Sequence, residues 1–408
     1  MRILFVTPFL PHPEASHGGG SYVGALASAM GKRDELGLVH LSGESDGDRP
    51  GDGSGGARGA LWSWQAGAAY QGDGTRRRCG GPTSRRSAAA HRARMLWRWR
   101  RKPLLAAKYW QPTMAGLLAR ARREFEPDVA LLEMPQMAQY LPLLAELPTI
   151  LTDHEAGRPA NAATGLGRAA DRRDERLWRS YIQRHYRQAS AVQAVTEEDA
   201  ADLTQQLGLP VTVRPPTLQL PTRAAAPASA PSRALFLGDY RHAPNREAAH
   251  RLVEQVWPLV RRQCPTAELW LAGPHDAAIR SLAAADQGIH VRGFVADLDA
   301  LMGSVRLLLA PLWSGRGFRV KNATALAYGL PIVTNALGAR GCRAPAASCA
   351  VHESPQELAR AATAWLLDAE LAGRGGADAR KWAQKRYDAE AVAQLQRARI
   401  EALLQRTT

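Results

Sequence analysis

Short apolar runs alternate with helical stripes along most of this chain. Residues 2–6, Arg-Ile-Leu-Phe-Val, form an apolar run closed by turn residues, the pattern of a strand buried on both faces of a parallel sheet. A glycine loop, Gly18, Gly19 and Gly20, leads to Ser21, which is placed to cap a helix through Val23, Leu26 and Met30. Residues 36–41 read as a second strand. Regular structure is predicted to resume at 92–101, with further strands at 129–132, 149–151 and 191–195 and helices at 113–125 and 172–187. Thr196, heading Thr-Glu-Glu-Asp, caps another helix. After residue 232 the alternation restarts, with strands at 234–237, 268–272, 289–291, 305–310 and 331–334. Helices are predicted at 245–263, 319–328, 355–368 and 375–405. Two runs of βαβα imply an α/β protein with two doubly wound parallel sheets. Ligands bind beyond the carboxyl ends of such strands, so a cleft between two domains is the expected site.

Two stretches break the pattern. Residues 42–90 are rich in Gly, Ser and Arg with little apolar period, and read as a disordered segment or a long surface insertion. Residues 215–231 contain five prolines and no strong period, and read as a linker. The expected organisation is therefore an N-terminal domain over 1–214, a linker over 215–232 and a second domain over 233–385. A C-terminal helix over 386–408 is expected to pack back on the first domain. A chain of 408 residues is too long for one ordinary core, which agrees with two domains.

Charge narrows the partners. Lys and Arg number 53 against 38 Asp and Glu, a net charge of +15, so the surface favours anions. Nucleic acid is not expected, because no helix-turn-helix, RNP or finger motif is present. The stretch 92–102 interleaves Trp97 and Trp99 with arginines. It fits peripheral contact with an anionic membrane, or a solvated helix whose tryptophans pack on the domain. The four cysteines form no CxxC pair and no zinc spacing. Neither a signal peptide nor an apolar run of about 18 residues is present, so a cytoplasmic location is expected. Gly43-Glu-Ser-Asp-Gly47 matches G-x-S-x-G, but Asp48-Arg-Pro-Gly51 cannot open the helix a nucleophile elbow needs. No Walker A motif occurs, and Gly18–Gly20 lie too far beyond the first strand for a dinucleotide fingerprint.

Chemistry concentrates at 309–334. A predicted strand runs into the turn Ser314-Gly-Arg-Gly317, which opens a helix carrying Arg319 and Lys321. Free backbone N–H groups, the positive end of a helix and added cations make an anion site. Gly-x-Gly-Phe-Arg-Val-Lys followed by Ala-Leu-Ala-Tyr-Gly-Leu-Pro-Ile-Val resembles the donor motif of glycosyltransferase family four, which has the GT-B fold. Phe236-Leu-Gly-Asp-Tyr with Pro244-Asn245, Leu271-Ala-Gly273, Val291-Arg-Gly-Phe-Val-Ala-Asp297 and 335–341 are similar to that family's segments in order. So are the opening strand with its glycine loop, Asp153-His154-Glu155 and 194–199. The resemblance covers most of 1–41 and 110–405 and none of 42–90.

The resemblance implies two Rossmann-like domains facing a central cleft, with the first binding the acceptor and the second the nucleotide-sugar. It implies that Lys321, with Arg319 beside it, neutralises the diphosphate leaving group. Around the donor it places Gly18, Gly19, Gly20, Gly238, Arg241, Asn245, Phe294, Arg316, Gly317 and Thr324. His154 would lie near the transferred sugar and bond a hydroxyl or orient the acceptor; a capping or partner-bonded histidine is the other reading. No cofactor and no metal is implied. Asp46-Gly-Asp48 and Asp297-Leu-Asp299 read as solvated carboxylates. The acceptor would be a carbohydrate or a lipid-linked glycan of a cell-surface pathway, and transfer would retain anomeric configuration. One departure stands out: the family has Glu where this chain has Thr324, and a hydroxyl cannot supply a carboxylate. That departure motivates a second reading, a non-catalytic GT-B relative serving as partner or scaffold.

Overall fold

The computed structural model of the chain describes residues 1–12, 18–42, 59–65, 77–79, 93–156, 164, 166–218, 220–315 and 317–407. The chain divides into two compact units, one of Met1–Gln219 with Ala389–Thr408 and one of Leu220–Asp388.

The first unit is built on an eight-stranded sheet in the order β4-β3-β2-β1-β5-β6-β7-β8. The parallel strands are β1 (Arg2–Thr7), β2 (Glu35–Ser42), β5 (Val129–Glu133), β6 (Thr149–Asp153), β7 (Ala191–Ala194) and β8 (Val211–Val213). All five residues of β5 and of β6 are buried, as expected for strands covered on both faces. Leu4, Val6, Leu132, Leu151 and Trp178 lie in its core. Two further strands, β3 (Gly59–Gln65) and β4 (Arg77–Cys79), extend the β2 edge antiparallel. Within 42–90, read as a disordered segment or a long surface insertion, these are two short strands: Gly-Ala-Leu-Trp-Ser-Trp-Gln is strand-forming sequence between glycine- and arginine-rich flanks.

Gly18, Gly19 and Gly20 are corrected, since they form the first turn of the Gly18–Met30 helix rather than a loop. The first helical N–H groups lack intrahelical partners in any case, which makes that turn tolerant of glycine. Gly24 on the same helix is a packing requirement, because a Cβ there would sit 2.2 Å from the His12 carbonyl carbon. The predicted 375–405 helix is two helices, Ala369–Tyr387 and Ala389–Thr407, parted at Asp388, whose φ/ψ of −55°/130° leave the helical region. The second of these belongs to the first unit. Arg397 pairs there with the buried carboxylate of Asp34, and Arg399 donates to the Val213 carbonyl at 2.7 Å.

The second unit carries a six-stranded, all-parallel sheet in the order β11-β10-β9-β12-β13-β14. Its strands are β9 (Arg233–Leu237), β10 (Glu268–Ala272), β11 (Ile289–Gly293), β12 (Leu307–Leu309), β13 (Ile332–Thr334) and β14 (Cys349–Val351). Successive connections run outward from β9 in one direction and from β12 in the other, so the order reverses between these two neighbours. Loops leaving their carboxyl ends therefore diverge and open a crevice. The helix predicted at 245–263 spans 243–263 but widens into a π turn at Leu252–Val256. Pro258 explains this: it has no N–H for the residue 254 carbonyl and its ring needs the room.

Among the described residues no helix is long and apolar enough to cross a membrane. No group of three or more His, Cys, Asp and Glu among them is arranged to hold a metal ion.

Candidate functional site

One wall of the crevice in the second unit is assembled by two glycines and one amide. Gly238 follows β9 so closely against the Asn245 side chain that a Cβ would lie 2.9 Å from Asn245 Cγ. Gly273, at φ +134° after β10, comes so near the Gly238 carbonyl that a Cβ would stand 1.9 Å from its oxygen. Asn245 Nδ2 donates to the Asp239 carbonyl at 2.9 Å, and its Oδ1 accepts from Lys321 Nζ at 2.9 Å. The amide thus ties the β9 loop to the Val320–Tyr328 helix beyond β12. Gly238→Ala should push Asn245 off Lys321. The expected result is roughly tenfold weaker binding of an anionic ligand, with the unfolding midpoint within a few degrees, read by calorimetry and thermal melting.

The turn before that helix uses left-handed backbone at Gly315 (φ +108°) and Gly317 (φ +78°), conformations that glycine adopts freely. Arg319 stands at the N-cap position without capping by its side chain. Its Nη2 donates to the Gly315 carbonyl at 3.2 Å, and its Nε to the Leu337 carbonyl at 3.4 Å. Lys321, partly buried, lies with Nζ 4.2 Å from the Phe236 ring centre. Among the described residues it has no carboxylate partner. Desolvation and the neighbouring Arg319 charge push its ammonium down to about 7. A poorly hydrated cation at an uncapped helix start, without a protein anion, is a site for an external one.

Asn335 braces the crevice from β13. Its Oδ1 accepts from the N–H groups of Leu312 and Gly338, both at 3.0 Å, and its Nδ2 donates to the Leu312 carbonyl at 2.6 Å. Gly338 is obligatory, since a Cβ would fall 2.1 Å from Thr334 Oγ1.

In the first unit the order reverses between β1 and β5, and a second polar cluster gathers at that carboxyl edge. Glu133 ends β5 and is fully buried. Arg214 grips it with two bonds, Nη1 to Oε1 at 2.7 Å and Nη2 to Oε2 at 2.8 Å. His154, just past β6, has Nε2 2.8 Å from Glu133 Oε2 and Nδ1 2.7 Å from the Tyr22 hydroxyl. The carboxylate can only accept, so Nε2 carries the proton and the Tyr22 hydroxyl donates to Nδ1. Burial opposes charge on Glu133, but Arg214 and then His154 outweigh it and hold the carboxyl below its usual range. Burial lowers the His154 imidazole, with Glu133 acting against that shift. The state is an ion pair bonded to a neutral imidazole and a neutral phenol. Asp153 is structural, accepting from the Tyr186 hydroxyl at 2.5 Å and from the Glu155 N–H at 2.7 Å.

Residues 231–368 match the family described as glycosyl transferases group 1. That match covers about a third of the chain and lies within the second unit. No curated protein sequence matches the chain. Solved structures are similar in fold at low identity. Sucrose-phosphate synthase from Thermosynechococcus elongatus is 15% identical with a TM-score of 0.69, covering 100% of both chains. Anabaena HepE in complex with UDP is 14% identical with a TM-score of 0.60, covering 98% of this chain and 100% of its own. A mutant of S. aureus TarM, in complex with fondaparinux, alpha-GlcNAc-glycerol and UDP, is 11% identical with a TM-score of 0.52. That match covers 70% of this chain and 58% of TarM. The fold is GT-B.

Within the matched residues 231–368, the crevice brings together Gly238, Asn245, Gly317, Arg319 and Lys321. Thr324 lies one turn further along the same helix, partly buried. Arg316 lies outside the described residues. Arg241 folds back onto Asp239, with Nη2 2.7 Å from Oδ2. Phe294 follows β11, two strands from the reversal, and is 73% exposed. The carboxylates read as solvated have partners: Asp297 caps the Leu298–Gly303 helix and Asp299 accepts from the Tyr328 hydroxyl. Asp46 and Asp48 lie outside the described residues. Tyr22, Glu133 and Arg214 escaped the sequence reading, and Asn335 entered it only through the resemblance of 335–341. Asn335-x-x-Gly338 ahead of a helical turn is a usable capping signal. A glutamate closing the apolar run Val-Ala-Leu-Leu-Glu is a second. Tyr22 and Arg214 carried none.

Proposed function

We propose that the chain is a glycosyltransferase that moves a sugar from a nucleoside-diphosphate sugar to an acceptor hydroxyl in the cytoplasm. The carrying observation is Lys321, a cation without a protein carboxylate among the described residues, at the uncapped start of the Val320–Tyr328 helix where strand order reverses. The diphosphate would lie across the helix N-terminus with Lys321 and Arg319 taking up its charge. The acceptor oxygen forms a bond to the anomeric carbon as the bond to the β-phosphate oxygen breaks, and a phosphate oxygen takes the acceptor proton. Attack on the same face retains configuration and needs no metal. Uridine is the base to test first, because the neighbours HepE and TarM are described with UDP. The acceptor is a carbohydrate or lipid-linked glycan, and His154 orients it or a donor hydroxyl.

Calorimetry against UDP, GDP, ADP and TDP, with Lys321→Ala beside the native chain, tests the donor site. One nucleotide should bind, with heat lost in the variant. Absence of binding by all four would sink the donor reading. Thr324 supports the second reading, a non-catalytic relative; binding without release of nucleotide from any matching sugar donor would favour it.

A further inference from the structure

Residues 93–99 form a helix whose side chains divide sharply by exposure. One side is fastened to the first unit. Arg98 stacks 3.7 Å from the Trp110 ring centre, and Trp99 Nε1 donates to Asp174 Oδ1 at 2.8 Å. The same buried Asp174 oxygen accepts the Leu104 N–H at 2.7 Å, so one carboxylate pins both ends of the turn that follows. Arg173 stacks on Trp99 and donates to the Trp99 and Arg100 carbonyls, each at 3.3 Å. The other side is bare: Leu96 is 49% and Trp97 64% exposed. Their exposure is therefore held in place by packing. A tryptophan so presented gains nothing from water, yet a body of apolar ring with a polar N–H suits the headgroup level of a bilayer.

The charges flanking this pair in its own segment have one sign. Arg94, Arg100 and Arg101 are exposed beside it. The Arg168–His185 helix, to which the segment is fastened, carries Arg168, Arg172, Arg176 and Arg179 exposed at spacings of four, four and three, on a single face. Of that helix's carboxylates, Asp174 is buried and Asp171 accepts from Thr164. Glu175 stands 3.8 Å from Arg179. We infer that Leu96 and Trp97 form a membrane-docking tip, inserted into an anionic bilayer while the surrounding arginines meet lipid phosphates. The exposed apolar pair selects lipid over nucleic acid, whose backbone would engage the arginines and leave Leu96 and Trp97 in water. This rests on other residues than the donor site and deepens the acceptor side of the proposed function, selecting the lipid-linked glycan of its two acceptor classes.

Flotation of the full chain with vesicles of phosphatidylglycerol and phosphatidylcholine, against phosphatidylcholine alone, tests it. Binding is expected to the anionic vesicles only, weakening as salt rises from about 0.05 to about 0.5 M. The double variant Leu96→Ser with Trp97→Ser should lose at least about tenfold in partitioning, because it removes the inserted area and keeps every charge. Nucleotide binding measured on the same samples checks that the variant is folded and keeps failure of the donor reading separate. No flotation at low salt, or equal flotation of the variant, would overturn the inference. So would tighter, variant-insensitive binding to single-stranded RNA.

Discussion

Lys321→Ala is expected to lower kcat/KM by about 10²–10³-fold while leaving unfolding free energy within about 1 kcal/mol of the native chain. The two halves of that expectation have one cause. In the fold the ammonium is desolvated, faces no carboxylate among the described residues, and lies near Arg319. Its interactions with Asn245 Oδ1 and the Phe236 ring are worth on the order of 1 kcal/mol each, and the desolvation relieved on removal offsets them. Folding therefore gains little from the charge, which is left for the diphosphate of the proposed donor. Turnover with the matching donor, beside urea unfolding, checks both halves; a large stability loss would mark Lys321 as a packing residue instead.

The same lysine gives a pH signature. Its pKa in the unliganded protein is pushed down to about 7, and a bound diphosphate must raise it. Below that value the ammonium is already charged and binding needs no proton. Above it the free lysine is neutral, so binding takes up a proton and affinity falls as pH rises, by as much as about tenfold per unit. A sugar diphosphate stays fully ionised across this range, so the loss belongs to the protein. Calorimetry at pH 8 in two buffers of different ionisation heat should report uptake of close to one proton. Lys321→Arg, always charged, should flatten the profile. A native profile already flat from pH 6.5 to 9 would remove Lys321 from the phosphate site.

What the sequence disclosed follows from where each signal resides. Strands buried on both faces are continuous apolar runs, so β5, β6, β9 and β10 were legible nearly to the residue. Three-residue edges such as β8 and β14 carry too few positions to show a pattern. The Val320–Tyr328 helix was legible because glycine, cation and helix start fall within one segment. Asn245 and Gly238 came only through resemblance, because their role depends on a contact between loops. Thr196 was readable as a cap, and its hydroxyl accepts the Asp199 N–H at 3.0 Å. The Glu133 cluster joins residues 22, 133, 154 and 214, contributed by separate elements, and no spacing along the chain announces it.

That cluster carries the largest expected effect on stability. Glu133→Ala strands the buried Arg214 guanidinium, and Arg214→Ala strands the buried carboxylate; each should cost about 3–5 kcal/mol in the first unit. Removing both partners together as Glu133→Ala with Arg214→Ala should cost clearly less than the sum of the two single losses. No unpaired charge is then left, and the non-additivity measures the coupling. His154→Ala is the informative contrast. It leaves the two-bonded Arg214–Glu133 pair intact and removes one bond from Glu133 and one from Tyr22. Its stability cost should stay near 1–3 kcal/mol. If His154 orients a sugar or acceptor, turnover should fall by a larger factor than this loss implies, and Glu133→Gln, which alters the bond to Nε2, should lower kcat more than it raises KM. Urea unfolding and steady-state kinetics on these five variants separate the outcomes. Equal losses in stability and turnover for His154→Ala would leave the histidine as a buried strut between Tyr22 and Glu133.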